Sequence, residues 1–303
     1  MRKKKPLLVC IALLCITAQP PELKGQEEPR ASAAPETQTP APKDKKDPAG
    51  WRLSAGIGAS VNPLGLTQDT RIYYSQPLFP NLQGLLWDSS RIEAGLHNAL
   101  TPAFDTLSAY VRIVPVAILD ICASAGLSTY YNTFGYGYSP LSGYSAEWDS
   151  RALDKEERTS AEAFQYNLTA VLQGKAGPLS FLCATGITLY DLFRPRTGPG
   201  YYYDPSSDTA LKRRDSFLTN DTLVLYSLSP RLTAGLMHSL LWVPASGYSS
   251  RRISLLCRAE SPLGPRLTAA AALVTGLFLK DKYNSYKEGK IYAALQAGIT
   301  LKL

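Results

Sequence analysis

The chain has 303 residues and a formal net charge of +7, and tyrosine leads its aromatics with 18 against 8 phenylalanines. Arg2, Lys3, Lys4 and Lys5 sit together at the start, and without them the formal charge falls to +3, so the basicity does not speak for a nucleic-acid partner. Beyond residue 18 only Cys122, Cys183 and Cys257 remain, each alone in an apolar stretch, which argues against a disulfide framework and reads them as small apolar side chains.

Residues 1–18 carry the marks of a cleaved export signal: a basic start, an apolar run from Leu7 to Ile16 and a small residue, Ala18, at a cutting position. That run is too short to span a membrane. Acylation at Cys15 is the alternative, with the bulky Leu14 standing where such sites want a small residue. Residues 19–50 are rich in Pro, Ala and charge and nearly free of large apolar groups, so they are expected to form a disordered periplasmic linker.

From Trp51 to the last residue the dominant period is two, in stretches of about 10 to 14 residues, longer than the strands of soluble sheets and suited to tilted membrane strands. In WRLSAGIGASVN, Trp51, Leu53, Ala55, Ile57, Ala59 and Val61 share one face and Arg52, Ser54, Gly56, Gly58, Ser60 and Asn62 the other. Twelve such segments follow one another: 51–62, 70–76, 88–100, 105–114, 118–130, 161–173, 178–191, 218–228, 231–243, 251–260, 266–280 and 289–303. The segment 77–87 places Phe79, Leu82 and Leu86 at helical spacing and predicts a short helix, which makes ten strands the alternative. The polar faces are crowded with Gly, Ser and Thr. Alternation alone does not separate a lipid barrel, apolar outward, from a soluble sandwich, apolar inward, but segment length, the leader and loop asymmetry favour the barrel.

The long connections 131–160 and 192–217 alternate with short ones, as outer loops alternate with periplasmic turns. Both are tyrosine-rich, which reads as a lid or as loops packing on themselves. Trp51 and Trp87 at the inner rim and Tyr190 and Trp242 at the outer rim form the expected aromatic girdles.

The motifs of hydrolases, zinc enzymes and nucleotide binders are missing, so no catalytic, cofactor-binding or metal-ligating residue is assigned. Of two histidines, His97 lies on a polar face, and His238 lies in an apolar register beside Ser239, which points the other way. Pairing across the turns puts Glu93 opposite Arg112 if partner numbers sum to 205, and Arg112 opposite Asp120 if they sum to 232. The result is an inward ladder of Glu93, Arg112 and Asp120, with His97 and Tyr110 close by and Arg258 extending it on a later strand. It either fills the barrel or lines a charge-selecting constriction.

The stretch from 51 to 303, ending in the alternating GKIYAALQAGITLKL, resembles the outer-membrane β-barrels of Gram-negative bacteria. That resemblance implies an all-β, single antiparallel up-and-down barrel in outer-membrane lipid, assembled through its last strand by the barrel-assembly machinery. Such final strands often end on an aromatic, whereas this one ends on Leu303. The function expected is a small porin-like channel for polar solutes. The alternatives are a plugged structural or surface-interaction barrel and, behind both, a lipid-modifying enzyme.

Overall fold

The computed structural model describes residues 48–61, 65–131, 139–144, 160–194, 200–282 and 287–303. The expected leader, and the linker up to residue 47, lie outside the described residues. The folded part is all β. Its strands are β1 (Gly50–Val61), β2 (Gly65–Pro77), β3 (Arg91–Leu100), β4 (Phe104–Val116), β5 (Leu119–Tyr130), β6 (Ser139–Leu141), β7 (Ala161–Ala176), β8 (Leu179–Arg194), β9 (Tyr201–Asp204), β10 (Thr209–Lys212), β11 (Arg214–Ser229), β12 (Leu232–Val243), β13 (Tyr248–Pro262), β14 (Leu267–Asp281) and β15 (Ile291–Lys302).

Twelve of them close into one antiparallel barrel, each paired to its neighbours in the chain-ordered ring, with β1 joined to β15. The seam runs from Arg52 opposite Lys302 to Val61 opposite Ala293, and Leu303 N–H adds a bond to the Trp51 carbonyl at 3.0 Å. β6, β9 and β10 form a separate small sheet, ordered β10-β9-β6, built from the two long connections.

Twelve strands settle the count against ten, and 77–87 is the reason for the ambiguity. It contains turns rather than the expected helix: Pro80 lacks a donor, and Gly84 sits at φ 116, a conformation a helix does not allow. It folds along the rim beside the β4–β5 turn, where Ala117 N–H bonds the Leu86 carbonyl at 2.9 Å.

The side chains divide as period two requires. Ile57, Leu107, Leu168, Leu236, Leu255 and Leu295 are exposed on the outer wall, while Ser54, Ser60, Ser108 and Ser254 are buried inside. An apolar wall of this extent has no place in water, and a closed barrel is the one sheet that satisfies all its backbone groups in hydrocarbon. The apolar-out sense therefore decides for a membrane-spanning barrel of the bacterial outer membrane rather than a soluble sandwich. The rim carrying the long connections is called outer below, by the rule that periplasmic turns are short.

Candidate lumen site

Three features share the interior: a charged wall on β2 to β5, a plug at the outer mouth, and a cavity between the plug and β11 to β15.

The charged wall begins with Glu93, directly opposite Arg112 in the β3–β4 ladder. Arg112 Nη1 donates to Glu93 Oε2 at 3.2 Å, and its Nε and Nη2 donate to Asp120 Oδ2 at 3.0 and 2.6 Å. The β4–β5 register differs from the one expected: the strands turn at residues 117 and 118, later than the expected 115–117, and with a bulge between Ile113 and Val116 this puts Arg112 opposite Cys122, two residues beyond Asp120. The long guanidinium arm closes the gap diagonally. Arg91 Nε holds the other Glu93 oxygen at 2.6 Å.

Higher on the same wall, His97 Nε2 meets Asp69 Oδ2 at 2.5 Å and Arg71 lies 3.4 Å from Oδ1 of the same carboxylate. Tyr110 is there as well, its ring centroid 6.4 Å from that of Tyr73, and both tyrosines pair with Gly95 between them. A Cβ on Gly95 would come within 2.2 Å of the Ile72 carbonyl, so only glycine leaves room for the two rings. Asp69 falls outside the expected segment 70–76, and Arg71, inside it, gains its meaning only from that carboxylate. The alternation does run back through Thr67 to Gly65, and that was the available signal.

Arg258 does not join this wall. It bonds Glu260 on its own strand at 2.8 Å, and β13 stands six strands from β4 in the ring of twelve, on the far side of the lumen.

The plug seals the outer mouth with apolar and tyrosine side chains: Phe104, Tyr130, Leu141, Tyr202, Leu211 and Val243 belong to one buried cluster. Its polar centre is Asp204, which accepts from Tyr130 Oη at 2.8 Å, Ser206 Oγ at 2.7 Å and Ser207 N–H at 3.0 Å. Burial pushes the Asp204 carboxyl above its ordinary value, against the lowering pull of those donors. Lys287, from the β14–β15 connection, pairs with Asp208 and ties the plug to the opposite wall. Short strands inside loops gave no period to read, and only the tyrosine density marked them.

The girdle residues separate. Trp51 is 53 % exposed on the outer wall, edge-on to Tyr74 at 5.6 Å, and Trp242 is likewise exposed. Trp87 opens no strand; it lies in the 78–90 connection, 5.4 Å from Phe79. Tyr190 is corrected outright: at 3 % exposed it points inward, stacks on Phe217 and bonds Ser206 Oγ at 2.8 Å as part of the plug's seat. On β8 the even-numbered residues Ser180, Leu182, Ala184 and Thr188 are the buried ones, which puts Tyr190 in the inward register.

Outside the barrel, His238 faces away from Ser239, which lines the cavity with Asp221 and Arg252. Among the described residues, no group of three or more His, Cys, Asp or Glu is placed to hold a metal ion.

No protein-family model and no curated protein matches the chain. Solved barrels are similar at a distance. A NanC porin aligns at TM-score 0.40 and 12 % identity over 83 % of this chain and 100 % of its own. The translocator domain of the autotransporter NalP from Neisseria meningitidis aligns at 0.39 and 9 %, over 85 % and 90 %. The outer membrane protein Omp33 of Acinetobacter baumannii aligns at 0.36 and 9 %, over 84 % and 98 %. Likeness this distant speaks for neither a substrate nor an activity.

Proposed function

We propose that the barrel is a narrow channel for small polar solutes, closed at its outer mouth by the β6, β9 and β10 sheet acting as a gate. The observation that supports this reading is where the lumen charges find their partners. Those of Glu93, Arg112, Asp120 and His97 all lie on β2 to β5, and that of Arg258 lies on β13 itself. Ion pairs that filled a structural barrel would join facing walls; these are neutralised along each wall, and the facing wall packs its own apolar groups, Val171, Leu182, Leu223 and Met237 among them. Paired charges of both signs suit polar solutes better than a strongly selected ion.

Planar-bilayer conductance tests the proposal. The wild-type barrel should be mostly silent with brief openings, and a variant with 200–212 replaced by a short Gly/Ser linker should open steadily. Arg112→Ala in that background should change its conductance and charge preference. A plug-less barrel that keeps its heat-modifiable gel shift yet never conducts would leave the plugged structural barrel as the function. No enzymatic role is part of this proposal. Trp51 and Trp242 would anchor the rims at headgroup level, and β15 would be the strand offered to the assembly machinery.

A further inference from the structure

We propose that the outer half of the lumen contains a subsite for a compact zwitterionic solute of the α-amino-acid type, held between Arg252 and Asp221. The subsite deepens the channel reading, since its occupant would reach it through the lumen.

Asp221 lies opposite Ser239, and Ser239 lies opposite Arg252, so the three form one inward row across β11, β12 and β13. Ser60, Thr219, Ser250 and Tyr292 line the same cavity under the plug.

Arg252 is 4 % exposed, which is unusual for a guanidinium without a carboxylate. Its centre lies 3.8 Å from the Tyr292 ring centroid and 5.8 Å from that of Phe278, so two aromatic rings fix its plane. Its hydrogen bonding is nearly empty: Nε has no acceptor, and Nη2 reaches only Ser239 Oγ, at 3.5 Å, the limit of a hydrogen bond.

Two strand spacings separate the Cα atoms of Asp221 and Arg252 by roughly 10 Å, and no ion pair joins the two side chains among the described residues. Ser239 Oγ stands between the two, bonded to Asp221 and at the limit of reach of Arg252 Nη2, and still leaves Arg252 Nε without an acceptor, so the row has room for a group that serves both ends. An anion alone would satisfy Arg252 but be repelled by Asp221; Asp208, which also lines the cavity, is neutralised by Lys287. A cation alone would meet the reverse conflict. A molecule carrying a carboxylate and an ammonium a few ångströms apart satisfies both ends, and the Thr219 hydroxyl, which also lines the cavity, can complete its contacts. The rings behind the guanidinium and Leu241 restrict it to small side chains.

The test is binding to the full-length, detergent-folded protein, followed by ligand-observed NMR or calorimetry. The probes are L-alanine, propionate and ethylamine, the last two each carrying one of the charges. L-Alanine should bind, and propionate and ethylamine should bind about tenfold or more weakly. Arg252→Met and Asp221→Asn should each weaken L-alanine by about tenfold or more, and Arg252→Lys should keep part of it. The near-isosteric Asp221→Asn decides the matter should Arg252→Met lose the folded gel shift. The subsite is overturned by absence of L-alanine binding to the wild type, by equal binding of propionate, or by unchanged binding in a folded Asp221→Asn. The two readings fail separately: binding in a barrel that never conducts removes the channel, whereas conduction without binding removes the subsite alone.

Discussion

Arg112 shows how one side chain can decide the state of a wall. Its guanidinium serves Glu93 and Asp120 together, and the two carboxylates are buried beside it. Truncation to Ala would leave Glu93 with Arg91 alone and strip Asp120 of its guanidinium, two neighbouring carboxylates inside the barrel. Losing one partner of such a pair costs about 3–5 kcal/mol, and lumen water should place this case at the lower end. Urea unfolding of the detergent-folded protein should show the loss, and adding Glu93→Gln and Asp120→Asn should recover much of it. The Glu93 and Arg112 register was legible because a tight turn fixes it. The rung of Asp120 is not legible because the turn falls at residues 117 and 118 rather than around Pro115, and a bulge then shifts the ladder back by one, a net displacement of two. Asp221, the missing end of the Arg252 row, carried no motif and becomes meaningful only when three strands stand side by side.

Among the elements, the small sheet at the mouth was the least legible and matters most to the function. β9 and β10 are four residues each and β6 is three, too short for a periodic signal, and β6 pairs with β9 across some sixty residues of chain. The barrel strands are legible nearly to their ends, the starts of β2 and β11 apart, because lipid on one side and lumen on the other leave no freedom in their alternation. The sheet's buried Asp204 gives it a pH dependence. A carboxyl whose folded value is raised favours the protonated, docked form, so the plug's stability is full below the ordinary carboxylate range and falls as pH rises through the raised value. Hydrogen-exchange protection across 200–212, corrected for intrinsic rates, should therefore be greater near about pH 4 than near about pH 8. Asp204→Asn should flatten the difference.

For the whole molecule, the sense of the two faces is the decisive fact, and it predicts where charge is tolerated. Leu236 stands on the lipid-facing wall of β12, 53 % exposed in the absence of lipid. Leu236→Arg should cost about 2–4 kcal/mol, the penalty for a cation near the bilayer midplane. Unfolding from lipid vesicles would measure it, and a neutral result would contradict the membrane orientation of the wall. Overall architecture was readable in advance since one solvent boundary acts on every strand alike, while the contents of the lumen depend on contacts no local pattern records.

The seam between β1 and β15 has a further consequence, for time rather than for shape. Arg52 and Lys302 are partners almost from opposite ends of the chain. Closing a loop of that length forfeits about 5 kcal/mol of chain entropy, repaid only when the whole ladder zips. That pairing should be the last event in folding and its slowest. Once it is shut, no strand offers a free edge from which to peel, so the barrel's endurance should be set by the rate of tearing one seam open rather than by its equilibrium stability.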